Sequence, residues 1–192
     1  VYAVLDAGNI CHMSFVVNGQ PFSIPTIYAR DGDVLYVHGS AASRMLNELE
    51  KGIPVCISVA MVDGLVLARS AFHHSMNYRS ATVFGTARLI KDEAEKLHAF
   101  EVITEHLIPG RWEECRQPNQ KEMKGTKALK VTIDEAAAKV RTGPPVDEKE
   151  DYELDIWAGV IPLETIAHKP VPDPLLKPGV NPRYWKVLDI KK

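Results

Sequence analysis

Two glycine-containing dipeptides divide the first forty residues into short runs of β-forming residues, and this pattern constrains the fold most. The runs are Ile10–Val17, Phe22–Arg30 and Val34–His38. Asn18-Gly19 follows the first run, and Asp31-Gly32 precedes the third. Both dipeptides favour two-residue hairpin turns, because Asn, Asp and Gly tolerate the positive φ that such turns require. The sequence therefore predicts an antiparallel meander in this part of the chain.

The chain then alternates further strand-like runs with two helical ones. Strands are predicted over Ile53–Val62, Leu65–Ser70, Tyr78–Ile90, Ala128–Ile133 and Tyr152–Ile161. Helical spacing predicts helices over Ser40–Lys51 and Asp92–Leu107. Asp63-Gly64 is expected to turn the chain, and Gly85 to mark a bulge or tight bend. An antiparallel barrel with helices packed outside fits this order best.

The other segments carry weaker signals. Asp134–Arg141 has a helical composition in a β context, so its conformation stays open. Arg111–Lys124 and the Pro-rich, charged Thr142–Asp151 are predicted to be loops. We expect one domain over residues 1–192, in which 164–192 form a Pro-rich tail extended over the body.

Composition excludes several classes of protein. With 45% hydrophobic residues, the 192-residue chain can bury a core, and a net charge of -2 gives no field that attracts nucleic acid or anionic membranes. Its apolar runs are too short to span a bilayer as a helix. Three cysteines without C-x-x-C spacing predict neither a disulfide framework nor a zinc site. No signal peptide is visible, so a cytoplasmic location is expected.

The segment from His38 to Arg44 has the pattern of an anion site. A strand is predicted to end at His38, Gly39-Ser40 follows, and a helix opens with Ser43 and Arg44 in its first turn. Free N–H groups at a helix N-terminus, two hydroxyls and a guanidinium suit a phosphate monoester. Ordinary capping by Ser40, with a solvated Arg44, explains the same residues.

Two later features are also open to two interpretations. The residues Asn77, Tyr78, Arg79 and Ser80 form either a polar entry to a strand or a hydrogen-bonding face for a planar ligand. Trp157, two residues before a glycine, is either core or the wall of a ligand site. His73 and His74 alternate sides of an extended chain, so no metal site built from both is predicted.

The order of these motifs resembles the pyridoxamine 5′-phosphate oxidase-like family. The motifs are Gln20–Thr26, Leu35–Ser40, Ser43-Arg44 and Tyr78–Ser80 ahead of Gly85. The pattern looks closest to the flavin-nucleotide-binding branch, which includes the nitroimidazole-resistance proteins, and it extends over residues 10–163. The resemblance implies an antiparallel, Greek-key-like split β-barrel with outer helices. It further implies a homodimer that binds FMN in the cleft between subunits.

The resemblance also assigns roles to residues. Along the flavin ring it places Ser23, Ile24, Pro25 and Thr26, and around the phosphate His38, Gly39, Ser40, Ser43 and Arg44. It implies that Arg79 and Ser80, next to Asn77 and Tyr78, reach the cofactor, and that Trp157 lies at the ring from the partner subunit. No metal ligand and no catalytic residue are identified, and only His73, His74 and Tyr78 are candidates for proton transfer.

Two departures from the oxidases of the family bear on function. Met45 follows Arg44 where a second basic residue is common, and Asn181–Trp185 lacks the basic motif that grips the oxidases' substrate. Pyridoxamine phosphate oxidation is therefore not expected. The leading hypothesis is an FMN-dependent oxidoreductase acting on a small molecule. The alternatives are a flavin carrier or sensor without turnover, or a split barrel that binds haem or deazaflavin, with His73 or His74 available to haem iron.

Overall fold

The computed structural model describes residues 1–181, which form an antiparallel split β-barrel with helices outside it. The strands are β1 Ile10–Val17, β2 Gln20–Asp31, β3 Val34–Ser40, β4 Pro54–Leu67, β5 Ser75–Leu89, β6 Thr126–Thr132, β7 Glu135–Arg141 and β8 Gly159–Pro162. The helices are α1 Tyr2–Ala7, α2 Arg44–Leu49, α3 Glu93–Leu107, α4 Arg111–Glu114 and α5 Gln120–Gly125. Among these residues no helix is both long and apolar enough to cross a membrane.

Six strands close the barrel in the order β1-β2-β3-β6-β5-β4, since β4 also pairs with β1. The two longest strands then leave it. From Gly64 to Leu67, β4 pairs with β8 instead of β1, and from Tyr78 to Phe84, β5 pairs with β7 instead of β6. These two branches split the barrel and extend one face of the sheet beyond it.

Alternation along the strands divides the core into two layers. Inward-pointing residues fill the barrel, and the largest of them include Tyr28, Met13, Leu35, Ile57 and Leu129. Outward-pointing Ala29, Tyr36 and Ala128 contact Ala99 and Ile103 of α3 in a second, smaller layer. The helical layer therefore covers β3, β6 and the end of β2 around Ala29 on the outside. It leaves the outer face of β1, β4, β5 and of β2 up to Ile27 uncovered.

Both predicted hairpins are confirmed. Asn18 and Gly19 have φ of 51° and 78°, as a two-residue turn with both central residues left-handed requires. The second turn is centred one residue later than the dipeptide: Asp31 pairs with Val34, and Gly32 has φ 55°. The helix predicted over Ser40–Lys51 is shorter, because Ser40 still belongs to β3.

The turn predicted at Asp63-Gly64 is wrong, and so are the separate strands on either side of it. β4 continues through this position, with a register shift between Val62 and Gly64. A Cβ on Gly64 would lie 3.1 Å from the carbonyl oxygen of Ile161, so this glycine permits the close approach of β8. A bulge within a long strand and a hairpin turn use the same residue types, and only the distant partner strand distinguishes them.

Four other segments complete the comparison. The predicted loop Arg111–Lys124 contains α4 and α5, and the open segment Asp134–Arg141 is strand β7. The strand predicted over Tyr152–Ile161 is wrong for most of its length, since only Gly159–Pro162 pairs. Residues 164–181 form neither helix nor strand, which agrees with an extended tail, and residues 182–192 of the tail lie outside the described part. Most of Asn181–Trp185, the segment in which the basic motif of the oxidases is missing, also lies outside the described part.

Candidate functional site

The turn between β3 and α2 contains Ser40, Ser43 and the exposed Arg44. Ser43 is the N-cap of α2, and its Oγ accepts from the Leu46 N–H at 3.5 Å. Ser40 Oγ accepts from the Ala42 N–H at 3.2 Å. Both hydroxyls therefore cap local backbone and keep their own hydrogens available for an anion.

Arg44 connects this turn with the first residues of β2. Its side chain is exposed, and its guanidinium lies 5.1 Å from the centre of the Phe22 ring. Phe22 stacks in turn on Phe15 at 5.4 Å. The cation–π contact orients the guanidinium while its N–H groups remain directed to solvent or to a ligand.

His38 lies apart from Arg44, although only five residues separate them. Its side chain points outward from β3 to α3, where its ring contacts the Phe100 ring edge-on at 5.7 Å. Burial lowers the pKa of His38 from its ordinary value of 6.5, so the ring is neutral at physiological pH. Its Nδ1 is buried and has no hydrogen-bond partner within residues 1–181. This histidine is thus placed against the helical layer rather than beside Ser43.

The residues predicted along the flavin ring divide between the two faces of β2. Ser23 and Pro25 are exposed on the outer face, whereas Ile24 and Thr26 alternate with them and point towards the barrel interior. Ser23 hydrogen-bonds across to Ser14 of β1 at 3.0 Å. An open, largely apolar groove of about 470 Å³ lies beside this pair. Its lining includes Phe22, so the groove adjoins the Arg44 guanidinium.

The predicted ligand face on β5 is largely engaged in holding strands together. Buried Asn77 donates to the Gly143 carbonyl at 3.1 Å and accepts from Arg141. Arg79 forms a two-point ion pair with Asp63 at 2.8 and 2.9 Å, and these hydrogen bonds lower the pKa of Asp63 below its ordinary value. The charges of Arg79 and Asp63 are therefore paired with each other within the chain. Asn77 and Arg79 have structural partners that the sequence did not reveal.

Tyr78 and Ser80 lie on the outer sheet face. The Lys139 ammonium lies 5.7 Å from the centre of the Tyr78 ring, and the Ser80 hydroxyl donates to the Lys139 carbonyl at 3.4 Å. Ser23 shares this outer face but lies three strands away, which is roughly 14 Å at the usual strand spacing. Within one chain, these two groups are too far apart to contact one flavin ring together.

Trp157 is not part of the core of the chain. Its side chain is 66% exposed and packs over Gly159, at which a Cβ would lie 2.9 Å from the indole. Gly159 pairs with Leu67, whereas Ser14 pairs with Cys56 at the other end of β4. Cys56 and Leu67 are therefore eleven residues apart along β4, which is roughly 35 Å at the usual rise per residue. A flavin beside Ser23 could meet a Trp157 only from another chain.

The segment between β4 and β5 holds His74 in a defined orientation. Its unprotonated Nδ1 accepts from the Ala68 N–H at 3.3 Å, whereas a protonated Nδ1 donates to the Ser70 carbonyl at 3.1 Å. When Nδ1 carries the proton, the ring donates to Ser70 and leaves the Nε2 lone pair free on an exposed side chain. This is the arrangement that metal-binding histidines usually show, with the second nitrogen bonded to a carbonyl. His73 differs, because its Nε2 faces the Glu148 carboxylate at 3.7 Å.

Asp147 fixes this histidine segment, although no pattern in the sequence pointed to it. Its side chain is fully buried and accepts from the N–H groups of Arg69, at 3.0 Å, and Ser70, at 3.1 Å. The Arg69 guanidinium adds an ion pair at 3.3 Å. Burial acts to raise the pKa of Asp147, but these donors outweigh it and hold the pKa below 3.8. The carboxylate thereby anchors the backbone whose Ser70 carbonyl orients His74.

Comparison with known proteins identifies relatives of this chain. A model of the family described as pyridoxamine 5′-phosphate oxidase matches residues 1–140. The flavocytochrome Anf3 from Azotobacter vinelandii is 42% identical, with a TM-score of 0.90 over 99% of this chain and 89% of that one. The FAD and haem binding protein from Mycobacterium smegmatis is 38% identical, with a TM-score of 0.92 over 96% and 91%.

A more distant structure shares the fold alone. It is described as a putative 5-nitroimidazole antibiotic resistance protein from Bacteroides thetaiotaomicron. It is 22% identical, with a TM-score of 0.61 over 72% of this chain and 80% of that one. No curated protein matches the chain significantly.

Proposed function

The chain belongs to the pyridoxamine 5′-phosphate oxidase family, and from this premise we propose that it is a redox protein that binds both a flavin and a haem. The orientation of His74 carries the haem part of the proposal, because its side chain is exposed and the tautomer whose Nδ1 donates to the Ser70 carbonyl leaves the Nε2 lone pair free. The exposed Arg44 beside two hydroxyls supports the flavin part. When bound, the flavin supplies hydride and electron transfer with small molecules, and the haem supplies one-electron transfer.

The sequence analysis named FMN, and we propose FAD instead. The two similar structures at 42% and 38% identity are a flavocytochrome and an FAD and haem binding protein. The Ser40–Arg44 turn suits a phosphate of either flavin nucleotide, since both carry the anion that hydroxyl donors and a guanidinium bind. The groove beside Ser14 and Phe22 would take the ring, with its apolar wall excluding water.

The haem would lie at the opposite end of β4 from the flavin groove, against His74. Large apolar side chains are exposed there, among them Phe72, Met76, Ile156 and Trp157. Exposed apolar area of this kind suits the faces of a porphyrin and the surface of a partner chain. His74 would hold the haem iron through Nε2, and Asp147 would keep its ring in place through the Ser70 carbonyl.

We propose that both sites are completed in a homodimer. The outer-face residues Ser23 and Ser80 and the distant Trp157 surround one ligand only when two chains contribute. In that arrangement the flavin of one protomer would lie near the β8 end of its partner. The protein residues would then bind and orient the two groups and exclude water from them.

The absorption spectrum of the purified protein tests the proposal directly. We expect flavin bands and a Soret band together, with FAD released on denaturation. His74→Ala should abolish the Soret band and leave the flavin bands. His73→Ala is the matched control and should retain both, because its Nε2 faces Glu148.

Each cofactor is tested separately by this comparison. A flavin spectrum without a Soret band in haem-supplied wild-type protein would contradict the haem assignment. Release of FMN alone on denaturation would contradict FAD and favour FMN, the flavin that the sequence analysis named. Oxidation of a reduced nicotinamide with a nitro compound as acceptor would identify an oxidoreductase, and its absence would favour the carrier or sensor hypothesis.

A further inference from the structure

A cavity of about 250 Å³ lies between the helical layer and the outside of β3 and β6. Its walls include the Phe100 and Trp112 rings together with Ile103 and Pro118. Glu122 also lines it, and its carboxylate is paired with the Arg116 guanidinium. Aromatic and apolar walls with a few polar groups are typical of sites for small planar molecules. The cavity is separate from the groove at Phe22 and from the His74 segment, so neither part of the proposed site yet uses it.

Polar groups in the cavity are arranged for a ligand with both donors and acceptors. His38 lines it and has a buried Nδ1 without a partner within residues 1–181. A buried ring nitrogen of this kind is costly unless a ligand or water satisfies it. Thr104 donates its hydroxyl hydrogen to the Phe100 carbonyl at 2.8 Å, so its oxygen can still accept. Thr126 contributes a second hydroxyl at the rim.

The cavity adjoins the phosphate-binding turn. Thr126 is the ladder partner of Ser40, and His38 and Ser40 point to the same side of β3. Directly opposed residues in an antiparallel pair have Cβ atoms about 5 Å apart. A molecule anchored by phosphate at Ser40 and Arg44 therefore reaches the cavity rim within a few bonds.

We propose that this cavity binds the adenine of FAD, whose diphosphate lies on the Ser40–Arg44 turn. This inference rests on the proposed flavin function and names a subsite of it. The purine would stack on the Trp112 ring, while its amino group and ring nitrogens pair with Thr104 and His38. FMN has no base to place there, so the cavity provides the chain with a means to select FAD over FMN.

Flavin titration of the apoprotein tests the subsite, with quenching of flavin fluorescence as the readout. Wild-type protein should bind FAD more tightly than FMN. Trp112→Leu should weaken FAD binding roughly tenfold or more, since stacking on an aromatic side chain contributes that much per base. Its affinity for FMN should stay within about twofold. Tyr2→Leu, which replaces an exposed aromatic residue of α1, is the matched control and should change the affinity for neither flavin.

A second variant guards against misfolding of Trp112→Leu. Thr126→Phe fills the cavity without removing a wall, and it should produce the same FAD-specific loss. Equal affinities of wild-type protein for FAD and FMN, or equal losses of both flavins in the variants, would overturn the adenine subsite. Wild-type protein that binds neither flavin would instead refute the proposed function, so the two failures are distinguishable.

Discussion

Arg44 combines the two properties that a phosphate-binding residue needs, a free charge and a fixed position. Its guanidinium rests on Phe22 and is exposed, so a bound phosphate would gain charge-assisted hydrogen bonds without breaking an existing ion pair within residues 1–181. The family resemblance also implied that Arg79 reaches the cofactor, yet its guanidinium is paired with the Asp63 carboxylate. The difference between these two arginines lies in their partners, which residue type alone does not reveal.

Arg44→Ala should therefore weaken the binding of phosphate-bearing flavins. Hydrogen bonds to charged groups contribute roughly 1.5–3 kcal/mol each, which is roughly 10- to 150-fold in affinity. Riboflavin carries the same ring without phosphate, so its affinity should hardly change. Fluorescence titration with FAD and riboflavin measures both, and exposed Arg88→Ala is the matched control. Equal losses for FAD and riboflavin would show that Arg44 supports the fold or the ring instead.

At the scale of elements, Gly85 marks the place where β5 exchanges one partner strand for another. The sequence predicted a bulge or a tight bend, and β4 pairs with β5 through this position without a register shift. The glycine serves a close approach instead: a Cβ there would lie 2.2 Å from the Thr132 carbonyl oxygen. The paired backbones of β5 and β6 cannot easily move apart to make room for a Cβ at this position.

Gly85→Ala should consequently destabilise the barrel by roughly 1–3 kcal/mol or more, as overpacking of a filled interior does. Gly125→Ala is the control, because its Cβ would meet nothing within 4 Å. That variant should stay within about 0.5 kcal/mol of wild type. Urea unfolding measures both. A Gly85→Ala protein as stable as Gly125→Ala would mean that β6 can shift away from β5.

Asp147 should make the segment that carries His74 sensitive to acid. Because its folded pKa is lowered, its stabilising contribution is complete above the ordinary pKa of 3.8 and is lost as the pH falls through the folded value. Asp147→Asn should therefore melt below wild type at about pH 6, and the difference should shrink below about pH 4. Exposed Asp155→Asn should show no such difference. Thermal melts across pH measure this, and a difference that persists in acid would exclude the carboxylate as its source.

Elements set by local chemistry were predictable, and those set by distant partners were not. The Asn18-Gly19 turn and the helix predicted from Asp92 follow from the residues themselves, and both are present, with the Asp92 carboxylate capping α3. The same residue types led to a wrong turn prediction at Asp63-Gly64, because β4 continues there and pairs with β8, which lies about a hundred residues later in the chain. In the candidate site, the contiguous Ser40–Arg44 turn was predictable. The engagement of Asn77 by strand β7 and its following loop depends on tertiary pairing that no local pattern encodes.

At the scale of the whole molecule, the uncovered face of the split sheet is the main unexplained surface. It runs across β2, β1, β4, β5 and β7, and its exposed apolar side chains are Ile10, Val16, Ile27, Val62 and Phe84. Strand β7 is exposed on both sides, with Val140 57% accessible. A sheet normally covers at least one face, and a large exposed apolar patch marks an interaction surface.

A homodimer that buries this face accounts for its composition and for the separation of Ser23 from Trp157. A stable interface of this kind buries about 1,600 Å² in total, and a charge at its centre is costly. Phe84→Glu should therefore convert a dimer into folded monomers, and the mass is the deciding readout, since flavin binding should weaken in either case because Phe84 also lines the groove beside Ser14. Val171→Glu places the same charge at a position 91% exposed in the tail and should change neither. Light scattering at micromolar concentration measures the mass. A wild-type monomer that binds FAD fully, or a Phe84→Glu protein that stays dimeric, would contradict the assignment of this face.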